Sequence, residues 1–149
     1  MTQSRCKYNE FRRMQSLEAY KVELDGSNID HWKAVIKGPE GSPYEGYQLP
    51  LSIKLPSEYP HKPPKVYFGE GVIHPNVNDD GYICLNVLAS DWSPLQSIGT
   101  ILTSIEVLLS EPGTESPYNG KLARLYDEDR DEYKRLISKS CLKHLQKIN

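Results

Sequence analysis

A thiol and a side-chain amide lie eight residues apart in a stretch rich in turn-forming residues. The stretch has the sequence HPNVNDDGYICL and begins at His74. Its proline is rigid and favours an extended conformation for the residue before it, while NDDG is a cluster of turn formers. The pattern pairs a nucleophile, Cys84, with a possible oxyanion donor, Asn76, and contains no obvious set of metal ligands.

Length and composition predict one domain that covers residues 1–149. The chain has 18 basic and 20 acidic residues and a net charge of −2, so no strong bulk field attracts nucleic acid or an anionic membrane. The first seven residues contain no apolar signal core, and the apolar segment near residues 98–109 is too short to span a bilayer. We therefore expect neither nucleic acid nor membrane among the partners.

The three cysteines are widely spaced, which argues against a disulfide framework. A working thiol suits a reducing compartment, so we expect the cytoplasm, the nucleus or both. Most cysteines are inert small hydrophobic residues. We expect Cys6 and Cys141 to be inert residues of this kind. For Cys84, an inert residue is the alternative to a functional thiol.

The first half of the chain predicts a helix followed by four strands. The helix runs from Ser4, as its N-cap, to about Glu18, with Phe11, Met14 and Leu17 on one stripe. Alternation and turn signals predict strands at residues 21–24, 32–36, 49–55 and 66–68. Pro50 is expected on the polar face of the third strand. Short connections favour an antiparallel meander.

The second half predicts helices. Ser97 is expected to cap a helix with apolar residues at three- and four-residue steps, and Glu111 with the following Pro-Gly ends it. A short helix at residues 122–126 and an amphipathic helix at about 128–147 follow. The fold class is therefore α+β.

Several short motifs follow one another in a defined order. They are GP and SPYEG between residues 38 and 46, YPHKPPKV at 59–66, HPN with ICL at 74–85, DWSP at 91–94, and ILTSI, LL and EP between 101 and 112. In this order and spacing the chain, from about residue 5 to residue 147, resembles the ubiquitin-conjugating enzymes. The resemblance implies their UBC fold, an α/β roll in which a four-stranded antiparallel meander sheet is flanked by about four helices.

The resemblance implies a thioester relay. Cys84 would accept ubiquitin from the activating enzyme as a glycyl thioester and present it to a substrate lysine, usually with a RING or HECT type ligase. A free thiol is only a few per cent thiolate near neutral pH, which suffices because the incoming group is already a thioester. Asn76 would hydrogen-bond its loop or the oxyanion, and His74 would bond the loop backbone. No bound cofactor or metal is expected, since the activating enzyme consumes the ATP.

Two positions depart from the commonest family pattern, which carries acids there. Asn86 stands two residues after the nucleophile, and Ser116 stands in the loop after the central helix. Acids at these positions help to orient or deprotonate the attacking lysine, whose unperturbed pKa is about 10.4. We therefore expect weak intrinsic discharge to free lysine, improved by a ligase or by acidic groups of the substrate.

The resemblance also implies three partner surfaces: the first helix, two loops and the exposed side of the central helix. On the first helix, Arg5 matches a basic position, and Lys7, Arg12 and Arg13 are either further contributors or a solvated face. The residues implied are Arg5, His61, Lys62, Ser93, Pro94 and Leu95 for the activating enzyme and ligases, and Thr100, Thr103, Ser104 and Val107 for donor ubiquitin.

Three alternatives remain beside ubiquitin conjugation. The same fold carries other modifiers such as NEDD8 or SUMO, and Asn86 also occurs in carriers of NEDD8. A non-catalytic ubiquitin-binding variant is disfavoured because such variants typically lack the nucleophile. A cysteine hydrolase would need His74 as its base. Nothing in the sequence demands more than a monomer.

Overall fold

The computed structural model describes residues 2–84, 92–113 and 117–148. These ranges contain four helices and four strands. In chain order they are α1 Thr2–Ser16, β1 Lys21–Asp25, β2 Asn28–Lys37, β3 Gln48–Lys54, β4 Lys65–Phe68, α2 Ile98–Ser110, α3 Gly120–Glu128 and α4 Arg130–His144.

The four strands form one sheet in the order β1-β2-β3-β4, and every neighbouring pair is antiparallel. The predicted meander and the α+β class are confirmed. Buried residues face buried residues across the sheet, because Trp32 pairs with Ile53 and Ala34 pairs with Leu51. The register is therefore fixed by one apolar face, since a slip by one residue would turn that face to solvent.

Strand β3 shows the predicted alternation. Leu49, Leu51 and Ile53 are buried, and the residues between them are exposed. Pro50 lies on the exposed face as expected, opposite Val35. The polar-face position lets the strand carry a proline without breaking the apolar surface that it contributes to the core.

Helix α2 begins as predicted at Ser97, whose side chain accepts from the backbone N–H of Thr100 at 3.2 Å. The Thr100 hydroxyl oxygen in turn accepts from the backbone N–H of Ser97 at 3.0 Å, which completes a capping box. The helix ends at Glu111. Its buried residues, which join the same core as the sheet, are Ile98, Ile101, Leu102, Ile105, Leu108 and Leu109.

Two expectations for α1 are wrong. The helix already begins at Thr2, so Ser4 lies inside its first turn and does not cap it. The helix also ends at Ser16, which leaves Leu17 outside it and 46 % exposed. Only Phe11 and Met14 of the predicted stripe enter the core. The apolar spacing of three residues continues beyond the point where the hydrogen-bonded turns stop.

A buried carboxylate joins α1 to the start of α2. Glu10 is 6 % exposed and accepts a hydrogen bond from the Tyr59 hydroxyl at 2.5 Å. Its second oxygen accepts from the backbone N–H of Ile98 at 2.6 Å. A negative charge at the N-terminus of α2 satisfies a free backbone donor and interacts favourably with the helix dipole. Glu10 therefore fixes where the central helix starts relative to α1.

Helix α4 is shorter than the predicted 128–147 and spans Arg130–His144. Asp129 caps it, and its side chain accepts from the N–H of Glu132. Cys141 is fully buried on its inner stripe, which confirms the interpretation of this thiol as a core residue. Burial raises the pKa of the Cys141 thiol to about 11, so it stays protonated near neutral pH.

Candidate active site

A hairpin-like turn at residues 77–83 directly precedes the candidate nucleophile, Cys84. The Asn78 side-chain oxygen accepts from the backbone N–H groups of Asp80 and Tyr82, both at 2.9 Å. The backbone of Asn78 also donates to the oxygen of Tyr82 at 3.0 Å, and Val77 bridges Ile83. The turn formers seen in the sequence thus close a small self-bonded loop.

Strand β4 holds this turn in place. The N–H of Phe68 donates to the oxygen of Gly81 at 2.8 Å, and the N–H of Ile83 donates to Val66 at 3.0 Å. Gly81 has a φ of +87°, and a Cβ atom there would lie 2.2 Å from the oxygen of Phe68. Only glycine permits this conformation and this approach to the strand.

Cys84 follows directly after the anchored turn. Ile83 is fully buried, whereas Cys84 is partly exposed and its thiol is free of any disulfide. The backbone N–H of Cys84 donates to the oxygen of Asn76 at 3.1 Å. The buried Ile83 side chain and this hydrogen bond fix the backbone that carries the partly exposed Cys84.

His74 is a buried structural residue with both ring nitrogens engaged. Nδ1 accepts from the backbone N–H of Asn76 at 2.9 Å, which leaves Nε2 to donate to the oxygen of Leu108 at 2.7 Å. Burial lowers the pKa of His74 from 6.5 to about 4. A neutral ring with no free nitrogen cannot take a proton from Cys84, which argues against a cysteine hydrolase with His74 as its base.

The Asn76 side chain is tied to the loop after α2. Its Nδ2 donates to the oxygen of Gly113 at 2.7 Å, and the N–H of Gly113 donates to its Oδ1 at 3.0 Å. Asn76 is 1 % exposed. Two roles were expected for this amide, a hydrogen bond to a loop or to the oxyanion. The geometry shows the first, because the amide supports the loop that follows the central helix.

Tyr118 is a neighbour of the thiol that sequence reasoning missed. Its ring lies 6.4 Å from the ring of Tyr82. Partial burial, with Cys84 and Tyr82 nearby, raises the pKa of Tyr118, so its phenol stays protonated near neutral pH. Tyr118 lies outside the helices and strands, where hydrophobic periodicity gives no signal, and it belongs to none of the motifs in the sequence.

The turn before α3 positions Tyr118. The N–H of Asn119 donates to the oxygen of Pro75 at 3.0 Å, which joins this turn to the start of the candidate site. The Asn119 side chain accepts from the N–H of Leu122 at 3.1 Å and caps α3. Tyr118 therefore lies next to a residue that is hydrogen-bonded on one side to the site and on the other to a helix.

Two predicted site residues, Asn86 and Ser116, lie outside the described residues. Their proposed effect on the attacking lysine remains a prediction.

Trp92 joins the two loops that were predicted to meet ligases. Its Nε1–H donates to the oxygen of Pro60 at 3.0 Å, and its ring lies 6.1 Å from that of Tyr59. Leu95 is 96 % exposed. The structure thus brings the two loops into one patch; His61, Lys62, Pro94 and Leu95 are exposed, and Ser93 is half-buried.

The face of α2 predicted for donor ubiquitin lies outside the core. Thr100, Thr103 and Val107 are exposed, with Val107 at 54 %, and Ser104 is half-buried. The Thr103 hydroxyl donates to the oxygen of Gly99 at 3.0 Å. The four positions therefore form a small polar surface with one apolar side chain.

The basic surface of α1 is smaller than the sequence suggests. Arg5, Arg12 and Arg13 are exposed. Lys7 is 5 % exposed, and its Nζ forms a 2.6 Å salt bridge with Asp30. Lys7 is therefore occupied within the fold and is unavailable to a partner, which corrects its suggested contribution.

Within residues 2–84, 92–113 and 117–148, no three histidine, cysteine or acidic side chains converge as a metal site. The helices of that part of the chain are all too short or too polar to cross a bilayer.

The architecture matches that of solved ubiquitin-conjugating enzymes. A Toxoplasma gondii ubiquitin-conjugating enzyme E2 domain superimposes with a TM-score of 0.88 at 31 % identity, covering 98 % of this chain and 100 % of that one. A Plasmodium yoelii chain assigned to the same class superimposes with a TM-score of 0.91 at 32 % identity, covering 99 % and 98 %. The fold and the cysteine loop thus define the class.

Sequence comparison gives the same result. The family model for ubiquitin-conjugating enzyme matches residues 6–141. The Arabidopsis thaliana protein named probable ubiquitin-conjugating enzyme E2 31 is 38 % identical over 136 residues, which is 91 % of this chain and 88 % of that protein. The chain belongs to the ubiquitin-conjugating enzyme family.

Proposed function

We propose that the chain is an active ubiquitin-conjugating enzyme that carries ubiquitin as a glycyl thioester on Cys84. The observation that carries this proposal is a free, partly exposed thiol at the end of a turn whose backbone is anchored on both sides. A carrier thiol must be accessible to another protein's C-terminus while its backbone stays fixed. Cys84 meets both requirements, whereas Cys141, which is fully buried, does not meet the first.

The two transfer steps use the same sulfur. The Cys84 thiolate attacks the thioester carbonyl that links ubiquitin to the activating enzyme, and that enzyme's thiolate leaves. A substrate lysine amine then attacks the new thioester, and the Cys84 thiolate leaves. Both steps are acyl transfers through a tetrahedral oxyanion. His74 and Asn76 hold the loops around the sulfur, and Asn86 and Ser116 would set the environment of the lysine.

The partners follow from this reaction. They are ubiquitin, the ubiquitin-activating enzyme, a RING or HECT type ligase and the protein substrate. The ligase would bind the patch formed by the Pro60 and Ser93 loops, and donor ubiquitin would lie on the α2 surface that includes Val107. The compartment would be the cytoplasm, the nucleus or both, where thiols stay reduced.

A charging assay tests the proposal. The purified chain is mixed with activating enzyme, ATP and ubiquitin, and the products are separated with and without reductant. We expect one ubiquitin adduct that reductant removes. Cys84→Ser should give a reductant-resistant oxyester or no adduct, whereas Cys6→Ser should charge like the unaltered chain. Absence of any adduct, or an adduct that survives in Cys84→Ser but is lost in Cys6→Ser, contradicts the proposal.

The choice of modifier needs a parallel assay. The same chain is offered NEDD8 and SUMO with their own activating enzymes at matched concentrations. We expect charging with ubiquitin alone. Preferential charging with another modifier would keep the thioester chemistry on Cys84 but would replace ubiquitin as the substrate.

A further inference from the structure

A groove with mainly apolar walls lies where the chain leaves β3 and returns as β4. It has a volume of about 360 Å³, and its walls include Pro63, Pro64 and the half-buried Tyr82. Three exposed lysines also line it: Lys54, Lys62 and Lys65. A cavity of this size holds a few side chains of a peptide, since small-molecule sites begin at about 300 Å³. The groove therefore offers positive charge and an apolar surface to the same occupant.

Two of the three lysines lie opposite each other on neighbouring strands. Lys54 on β3 pairs with Lys65 on β4, and both line the groove. Like charges directly opposite each other in an antiparallel pair destabilise the sheet. Among the residues that the structure describes, the salt bridges include neither lysine, and Lys54 Nζ lies 5.2 Å from the centroid of the Tyr67 ring. A bound anion would relieve a repulsion that no carboxylate of the described residues offsets.

The groove lies beside the segment that leads to the candidate nucleophile. Tyr82 forms an antiparallel bridge with Tyr67, and the N–H of Ile83 donates to the oxygen of Val66 at 3.0 Å, so this segment runs extended beside β4. Side chains two residues apart on an extended segment lie on the same side, about 7 Å apart. Tyr82, as a wall of the groove, is therefore about one side-chain length from Cys84.

The charge around the groove favours a short acidic segment over a long polyanion. The turn that carries Tyr82 also exposes Asp79 and Asp80, and the whole chain has a net charge of −2. Nucleic acids and anionic membranes are bound through basic surfaces that contact many phosphates. A peptide with two or three carboxylates and one apolar side chain matches the lysines by charge and the prolines and tyrosine by apolar contact.

Resting on the proposed thioester reaction, we propose that this groove binds an extended acidic segment of the protein substrate and so presents a neighbouring lysine to the Cys84 thioester. Carboxylates of the segment lie between Lys54 and Lys65, and an apolar side chain packs on Pro64 and Tyr82. A lysine about two to four residues from the docked run spans the remaining distance to the sulfur. Its amine then attacks the thioester carbonyl carbon, the Cys84 thiolate leaves, and the amine proton passes to solvent.

The first test measures binding to the uncharged chain, which needs no thioester. The probe is a fluorescent ten-residue peptide with the run Glu-Leu-Asp-Glu three residues after a lysine, and its control carries Gln-Leu-Asn-Gln instead. The test variant is Lys54→Gln/Lys65→Gln. The matched control, Lys21→Gln/Lys37→Gln, also removes two exposed lysines from the sheet, but these lie opposite Val35 and Gln48.

We expect the unaltered chain and Lys21→Gln/Lys37→Gln to bind the acidic peptide equally. Lys54→Gln/Lys65→Gln should bind it about tenfold more weakly, at about threefold for each exposed charge contact, and the neutral peptide should show a similar loss on the unaltered chain. Lys65→Gln alone, which keeps the contact of Lys54 with Tyr67, should unfold at the same or a higher urea concentration. Weaker binding without a loss of stability distinguishes recognition from a structural role.

The second test uses the ubiquitin-charged chain with the peptide lysine as acceptor. Lys54→Gln/Lys65→Gln should lower kcat/KM for the acidic peptide about tenfold and leave kcat nearly unchanged, because these lysines bind the segment and do not touch the reacting atoms. Discharge to free lysine should be equal in all variants, since free lysine has no acidic segment to dock.

Several results would overturn the assignment. These are equal binding of the two peptides, undiminished binding by Lys54→Gln/Lys65→Gln, or an equal loss in Lys21→Gln/Lys37→Gln. A lower urea midpoint for Lys65→Gln would mean that this lysine serves the fold. Tighter binding of a ten-nucleotide RNA or of vesicles rich in phosphatidylserine through the same lysines would replace the acidic peptide as occupant. If the chain forms no thioester, the proposed function fails, whereas binding to the uncharged chain still decides whether the groove recognises acidic segments.

Discussion

Acidification should destabilise the protein through His74. The ring is buried and neutral, with Nδ1 accepting from Asn76 and Nε2 donating to Leu108. A proton on Nδ1 would set two donors against each other, and the charge would lie in an apolar environment. For this reason the pKa of His74 is lowered from 6.5 to about 4 in the folded protein.

The sign follows from the proton balance. Between the two pKa values the unfolded chain holds a proton on this ring that the folded chain does not. The contribution of His74 to the free energy of unfolding is therefore fully present above pH 6.5 and is lost as the pH falls from 6.5 towards about 4. The full difference corresponds to about 3 kcal/mol, of which roughly 2.5 kcal/mol is lost between about pH 7.5 and about pH 4.5.

The measurement is urea unfolding across this pH range, with His74→Asn as the comparison. Asn retains an acceptor near the position of Nδ1 but leaves the oxygen of Leu108 unpaired, so we expect a loss of about 2–3 kcal/mol near neutral pH. Its stability should then fall less with acid than that of the unaltered chain. The carboxylates contribute equally to the pH dependence of the unaltered chain and of His74→Asn, so their effect cancels in the difference between the two profiles. His31→Gln, at an exposed position on β2, controls for the loss of a histidine as such.

Two results would refute this reasoning. Parallel pH profiles for the unaltered chain and His74→Asn would show that the His74 ring binds protons equally in the folded and the unfolded chain. An NMR titration gives an independent answer, because the His74 ring should keep its Nε2–H form at about pH 5. A ring that becomes protonated near 6.5 would mean that the hydrogen bonds to Asn76 and Leu108 do not hold it neutral.

Three further substitutions test other contacts. Glu10→Gln should lower the free energy of urea unfolding by about 1–2 kcal/mol, because a neutral amide gives a weaker bond to the N–H of Ile98 and no charge for the helix dipole. Gly81→Ala should cost about 2–4 kcal/mol and impair charging, whereas Gly26→Ala, also at positive φ but with nothing within 4 Å of its added Cβ, should cost only about 1–2 kcal/mol and charge normally. Trp92→Phe should lower stability by about 1 kcal/mol, and should slow ligase-stimulated discharge more than intrinsic discharge if the two loops act as one ligase-binding patch.

Local patterns predicted those features whose partners lie within a few residues. The predicted cap at Ser97 involves a residue only three positions away, and the alternation of β3 follows from the pleat of a single strand. The turn around Asn78 is likewise built from contacts with Asp80 and Tyr82. In each case the side-chain type and its short-range geometry leave few alternatives, so the sequence is enough.

Contacts between distant parts of the chain could not be predicted in this way. Glu10 and Ile98 are 88 residues apart, and Lys7 and Asp30 are 23 apart. On its own helix Lys7 resembles the exposed arginines that follow it, and only the packing of α1 near Asp30 explains its burial. A polar residue in an amphipathic pattern is expected to face solvent unless a partner compensates its desolvation, and the pattern does not contain the partner.

The candidate site combines both kinds of contact, which explains why motif reasoning found part of it. The thiol and the amide of Asn76 were visible because they share one loop with a fixed spacing. The actual partner of that amide is Gly113, 37 residues away. The motif therefore located the amide, but the role that the amide fills depends on a contact that local spacing does not contain.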